Sequence, residues 1–135
     1  MPLTMELKPN DKIIVNGAVI ENAGAATRLI LHNQAAVLRG KEIMTEEEAN
    51  TPAKRIYFAL QGAYIFPEKQ EETLIAFAEY LGEFLRASPS SVDIIENIRK
   101  TAIDGKIYQA LRKIHDLIEH EEKIMEASGI KLNYK

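Results

Sequence analysis

The chain has 135 residues, of which 46% are hydrophobic and 27% charged, the composition of one globular domain rather than of a disordered segment. Seventeen Lys and Arg against twenty Asp and Glu give a net charge of −3, which argues against coating nucleic acid by bulk charge and leaves a local basic site as the alternative. With no cysteine in the chain, disulfide frameworks, zinc ribbons, iron–sulfur clusters and thiol nucleophiles are excluded.

In chain order, Leu3, Met5 and Leu7 alternate with Thr4, Glu6 and Lys8, the spacing of a strand with one buried face. Pro9-Asn10-Asp11 supplies a turn before Lys12-Ile13-Ile14-Val15. Asn16-Gly17 then marks a tight hairpin, because a type I′ turn needs positive φ at both central positions, and Ala18-Val19-Ile20-Glu21 is its partner strand. After a break at Asn22-Ala23-Gly24 come Thr27-Arg28-Leu29-Ile30-Leu31, a turn at His32-Asn33-Gln34, and Ala36-Val37-Leu38-Arg39. Ile43-Met44 complete four or five short strands. Residues 1–45 are therefore expected to form a small antiparallel sheet or barrel-like meander, too short to bury a core of its own.

The period becomes helical at Thr45. Thr45-Glu46-Glu47-Glu48 has the form of a capping box, and Thr51-Pro52 places a second cap with proline at the first helical position. Residues 52–66 are apolar on nearly every side after Arg55, the mark of a buried helix. A second helix is expected over 69–86, with Leu74, Phe77, Ala78, Leu81, Phe84 and Leu85 inward. A third follows over 91–103 (Val92, Ile95, Ile98, Ala102) and a long fourth over 106–127 (Ile107, Leu111, Ile114, Leu117, Ile118, Met125). Gly129 stands as its C-terminal cap and residues 130–135 as a tail. The fold class is α+β: a β-rich segment over 1–45 packed on an antiparallel helical bundle over 46–135, in one cooperative domain.

Charge divides along the same line. Residues 1–45 hold five basic and four acidic residues, net +1, and residues 46–135 hold twelve against sixteen, net −4. Any basic surface belongs to the first third: Lys8, Lys12, Arg28, Arg39 and Lys41. Lysines and arginines at turns grip phosphates while sheet edges read unpaired bases. His32 is a candidate for stacking on a base, with a turn-capping role as the simpler reading. Lys54 and Arg55 oppose the dipole at a helix start, and serve either to pair with Glu46–Glu48 or to hold phosphate, the pairing being the better account.

Catalytic chemistry finds no footing. His115 and His120 lie five residues apart, about 140° around a helix, and cannot share a metal. Glu119, Glu121 and Glu122 read as a solvated edge, Ser90 and Ser91 lack the context of a nucleophile, and the seven glycines form no phosphate-binding loop. Tyr57, Phe58, Tyr64 and Phe66 are core residues at helical spacing. Neither enzyme activity, nor a metal, nor a cofactor is expected. The start Met1-Pro2-Leu3-Thr4-Met5-Glu6 lacks the basic and apolar regions of a signal peptide, and no stretch approaches the ~18 apolar residues of a membrane span, so a cytoplasmic protein without membrane contact is expected.

The run from Lys41-Glu42-Ile43-Met44-Thr45 through Pro52-Ala53-Lys54-Arg55-Ile56-Tyr57-Phe58-Ala59-Leu60-Gln61 closely resembles the signature of the FlbT family of flagellum biosynthesis regulators. The opening Leu7-Lys8-Pro9-Asn10-Asp11-Lys12 through Asn16-Gly17 to Glu21-Asn22, and the later His32-Asn33, resemble it too, and the similarity spans about residues 3–125. The resemblance implies a bacterial regulator acting after transcription: it binds the 5′ untranslated region of flagellin mRNA and represses translation or promotes decay, or in some bacteria activates flagellin synthesis. It also implies a link to the partner regulator FlaF. At Ala23-Gly24-Ala25-Ala26-Thr27 the sequence departs from the family, whose members often carry arginines there, which weakens any RNA contact by that loop. The RNA-binding set expected from the residues is Lys8, Lys12, Arg28, His32, Arg39, Lys41, Lys54 and Arg55. The competing expectation is a protein-interaction module or chaperone-like regulator whose acidic bundle binds flagellin or FlaF and affects mRNA only indirectly, with the small sheet taking cover against a second copy of the chain or a different protein.

Overall fold

The computed structural model describes residues 2–129, so the tail expected over 130–135 lies outside the described residues. The chain divides into two compact units, Met1–Ile43 with Ile65–Pro67, and Met44–Tyr64 with Glu68–Lys135.

The first unit holds β1 (Leu3–Leu7), β2 (Lys12–Val15), β3 (Ala18–Glu21), β4 (Thr27–Leu31) and β5 (Val37–Arg39). They form two small antiparallel sheets, β1-β4 and β3-β2-β5. Met5 and Leu7 of β1, Ile13 and Val15 of β2, Leu31 and Val37 make one shared core, which is how strands too short to be stable singly shed their apolar faces. Ile14 and Leu38 are buried on the other face of the three-stranded sheet.

The antiparallel pairing matches the sequence pattern, but the connectivity is less local than a meander. The β2–β3 hairpin is the one pairing of neighbours in sequence, and β1 pairs with β4 and β2 with β5 across longer connections. Asn22 makes the crossing from β3 into the other sheet. Its side-chain amide donates to the carbonyls of Leu7 (3.0 Å) and Ala25 (2.9 Å), and its Oδ1 accepts from Gly24 N–H. Asn10 N–H donates to its carbonyl at 2.7 Å, tying the β1–β2 turn to the same point.

The hairpin turn has φ of 49° at Asn16 and 86° at Gly17, as a type I′ turn requires. A Cβ at Gly17 would stand 3.0 Å from a ring carbon of Phe66. Gly17→Ala thus combines a left-handed backbone with a close contact, and is expected to cost about 1–2 kcal/mol. A urea midpoint unchanged from the parent protein would contradict this turn geometry.

Ile43-Met44 is not a strand. Residues Gly40–Glu42 form a 3₁₀ turn, in which Arg39 N–H donates to Glu42 Oε1 at 2.9 Å. The Gln61 side chain then takes the place of a neighbouring strand, accepting from Met44 N–H at 2.8 Å and donating to Met44 O at 2.9 Å.

The second unit contains α1 (Pro52–Ile65), α2 (Gln70–Ala87), α3 (Val92–Ile103) and α4 (Ile107–Ala127), within a residue or two of the periodicity's boundaries. Three contacts set α1 antiparallel to α4: Ala53 N–H donates to Glu121 Oε2 at 2.9 Å, the Tyr57 and His115 rings are 5.3 Å apart, and those of Tyr64 and Tyr108 5.7 Å apart. Ile56, Leu60, Phe77, Leu81, Ile95, Ile98, Leu111, Ile114 and Leu117 form the buried interior. Lys113 joins α4 to α3 through Asn97 Oδ1 and Thr101 Oγ1.

Two helical expectations change. Thr45 and Glu48 do bond reciprocally, Thr45 N–H to Glu48 Oε1 at 2.9 Å and Glu48 N–H to Thr45 Oγ1 at 3.3 Å, but they close only a turn. Thr51 is the cap that starts α1, accepting from Lys54 N–H, because Pro52 cannot sit inside a helix begun earlier. α1 is also less enclosed than its composition suggests, since Phe58 is exposed, and Phe66, expected in the core at the end of this helix, lies just past it and is exposed as well.

Candidate nucleic-acid interface

The β1–β2 turn and the end of β5 frame a groove of about 300 Å³. Backbone bonds make its walls. Lys8 N–H donates to Asp11 Oδ2 at 2.9 Å and Asp11 N–H to Lys8 O at 3.0 Å, closing the turn through Asn10, which has φ of 70°. On the other side β5 pairs Arg39 with Ile13 of β2, and the 3₁₀ turn that follows swings Lys41 to the same opening. Gly40 sits where a Cβ would approach Lys12 O at 3.4 Å, so the chain passes close beneath.

Four of the five cations of the β-rich segment, Lys8, Lys12, Arg39 and Lys41, line this groove, with Glu6 and Asp11 as the acidic members, so it carries a net +2. Lys12 is 3.9 Å from Glu21 across the β2–β3 pair, with both side chains about half exposed. Pairs of that kind are weak in water and yield readily to a competing phosphate. Among the described residues, Lys8, Arg39 and Lys41 have no carboxylate at ion-pair distance from their side chains. The arrangement is a shallow cationic notch with an apolar floor of Met5, Leu7 and Ile13. Its chemistry is that of gripping phosphate oxygens.

The remaining sequence candidates lie elsewhere. Arg28 stands on β4 opposite Glu6, its Nε 3.5 Å from Glu6 Oε1, and so borders the groove through that acid rather than lining it. His32 is exposed and follows Leu31, which pairs with Leu3 at the far end of β1; it is roughly 10 Å along the strand from the Met5 that lines the groove. Lys54 and Arg55 belong to the helical unit. Lys54 contributes, after the Thr45 backbone and side-chain hydrogen bonds, to holding the Glu48 carboxyl below its ordinary value of 4.5. Its charge thus acts on Glu48 in the direction that the pairing reading requires. Arg55 lines a separate cavity formed by α1, α2 and α4.

Sequence reasoning missed two residues that organise these regions. Asn22 looked like a simple break, and nothing in its neighbours signals the bonds it makes. Glu121 was assigned to a solvated edge with Glu119 and Glu122, yet it is only 4% exposed. Its spacing carried the signal: it lies one turn beyond Leu117 and Ile118 on the inward stripe of α4. The histidines of α4 do have partners, His115 against Tyr57 and His120 Nε2 at 3.2 Å from Ser90 Oγ.

A family model described as flagellar protein FlbT matches residues 3–125. A protein of Bradyrhizobium diazoefficiens named probable flagellum biosynthesis repressor protein FlbT 1 is 40% identical over 125 residues, covering 92% of this chain and 85% of the relative. One from Caulobacter sp., also named as a probable repressor, is 38% identical, covering 91% of this chain and 95% of the relative. The flagellum biosynthesis repressor protein FlbT of Caulobacter vibrioides is 36% identical, with 91% and 89% covered. No solved structure matches the chain to a significant degree. Identity at this level along nearly the whole of both partners leaves one assignment: the chain belongs to the FlbT family of flagellar proteins.

Proposed function

We propose that this protein represses flagellin synthesis after transcription, in the cytoplasm, by binding the 5′ untranslated leader of flagellin mRNA with the groove of its β-rich unit. The observation that carries the reading is the gathering of Lys8, Lys12, Arg39 and Lys41 around one groove in a chain whose net charge is −3. Bulk attraction is absent, so cations concentrated at one place have a local task. The repressor names of the relatives agree with the direction of the effect. A leader held by its phosphates and unpaired bases is closed to the ribosome or opened to nucleases; either lowers flagellin output without a catalytic step on this chain.

The test is fluorescence anisotropy of the protein with its own flagellin leader and with a scrambled RNA, across a salt series. The leader is expected to bind in preference, with the logarithm of affinity falling by about 0.7 per phosphate contact for each tenfold rise in salt. Silence toward the leader at high micromolar protein would transfer the reading to recognition of flagellin or FlaF by the acidic helical unit, where residues 46–135 carry net −4.

A further inference from the structure

The core of the β-rich unit is covered on one side and open on the other. Ile20 pairs with Ile13 and Leu29 with Met5, so all four face the interior shared by the two sheets. Ile13 and Met5 are 1% and 2% exposed, whereas Ile20 is 41% and Leu29 37% exposed. On the outer faces of the same two strands, Val19 and Ile30 are more than half exposed. This aliphatic surface borders unpaired main chain, because β3 ends the three-stranded sheet and β4 flanks a sheet of only two strands. All four residues of β3 are exposed, and the strand carries none of the devices that keep a sheet edge from meeting another: it has no lysine, no proline and no bulge.

The main chain of β3 is laid out to receive a strand. The two-residue turn bonds Val15 to Ala18, and alternation directs Ala18, Ile20 and Asn22 toward the β2 side. Asn22 shows this phase, its N–H donating to Asp11 O at 3.0 Å and its carbonyl accepting from Asn10 N–H at 2.7 Å. Val19 and Glu21 therefore turn their N–H and C=O groups outward, evenly about Ile20. An antiparallel copy of the same strand, with Ile20 against Ile20, sets Val19 of one copy opposite Glu21 of the other and satisfies every one of these groups.

Charge selects a second copy at this edge. Lys12 is paired with Glu21 at 3.9 Å and Arg28 with Glu6 at 3.5 Å, and residues 1–45 sum to +1. Residues 46–135 carry net −4, so copies repel each other through that part of the chain. In the register above the two Glu21 carboxylates each face a valine and not each other. The exposed parts of Val19, Ile20, Leu29 and Ile30 come to about 300 Å² per chain, the scale of a functional patch and of a small reversible dimer.

We infer that β3 is a dimerisation edge, at which two copies of the chain pair antiparallel about a two-fold axis through Ile20. No residue of β3 or β4 lines the cationic groove, so pairing leaves both grooves open and does not depend on what they bind.

The chain has no cysteine, so a single introduced one reports the contact without background. Ile20→Cys is expected to give a disulfide-linked dimer in oxidised glutathione, since facing non-bonded residues of antiparallel strands hold their Cα atoms about 4.5 Å apart, within disulfide range. Ile103→Cys, at a residue 74% exposed on α3, should link at least about tenfold more slowly because nothing holds two copies together there. Sedimentation equilibrium of the full parent chain should show a reversible doubling of mass between micromolar and millimolar concentration. Val19→Glu, which sets a carboxylate against Glu21 of the other copy, should weaken the dimer at least about tenfold. Val19→Lys, opposite the same Glu21, should weaken it less. Both variants should keep the parental urea midpoint at low micromolar concentration, because Val19 is 67% exposed. A parent chain that stays monomeric to millimolar concentration would overturn the pairing and leave the edge to a strand from a different protein. So would a dimer that Val19→Glu does not weaken, one that Val19→Lys weakens as much, or Ile20→Cys linking no faster than Ile103→Cys.

Discussion

A double variant, Arg39→Ala with Lys41→Ala, is expected to bind the flagellin leader about 30- to 150-fold more weakly than the parent protein while folding normally. Each side chain is exposed at the groove, so each phosphate contact is estimated at ~1–1.5 kcal/mol, below the range of buried charged hydrogen bonds. Two such losses give the stated range, and the salt slope should fall by about 1.4. Stability should change by no more than ~0.5 kcal/mol, because exposed side chains away from caps and cores rarely matter more. Lys100→Ala, an exposed cation of α3 in the other unit, should leave both affinity and slope unchanged. A folded double variant with parental affinity would remove the groove from the functional reading. A uniform loss for the leader and the scrambled RNA alike would mean that these residues position the backbone and that sequence is read elsewhere.

How far the sequence revealed these features depended on the range of the forces concerned. The strands from Leu3 to Leu31 were legible because alternation and the Asn16-Gly17 turn are local signals. Ile43-Met44 misled because a β-branched residue after Arg39 resembles a strand, while the partner that satisfies Met44 is the Gln61 side chain, seventeen residues away. The pairing of β1 with β4 was invisible for a similar reason: Asn22, a single polar side chain, redirects the chain between sheets. Charge asymmetry pointed to the first third, where four cations line one groove, but could not separate Lys8, Lys12, Arg39 and Lys41 from Arg28 and His32. That distinction needs the register, which sets Arg28 against Glu6 and carries His32 past the far end of β1. Glu121 shows the opposite failure. Its helical position pointed inward, but its place in His120-Glu121-Glu122 let residue type outweigh spacing. In a long helix with an established apolar stripe, an ionisable residue that keeps the stripe's phase is better read first by position and only then by charge.

The α3–α4 packing supplies the largest stability effect. Ile114 is 0% exposed, in the middle of α4, so Ile114→Ala removes three buried carbons and leaves a cavity that its rigid neighbours cannot fully close. The expected loss is about 2–5 kcal/mol, a large share of the ~5–15 kcal/mol that holds a domain of this size together, with a melting temperature lower by on the order of 10 °C. Ile103→Ala makes the same chemical deletion at a residue 74% exposed, and should cost less than ~0.5 kcal/mol. Alanine's propensity gain is larger at mid-helix Ile114 than at Ile103, the last residue of α3, so propensity works against the expected contrast and burial is what produces it. Urea unfolding of the two variants beside the parent measures it directly. Comparable losses would place Ile103 under cover in solution; a negligible loss at Ile114 would mean that α4 presents another face to the core, which would also displace Glu121, since the two residues lie on the same inward stripe.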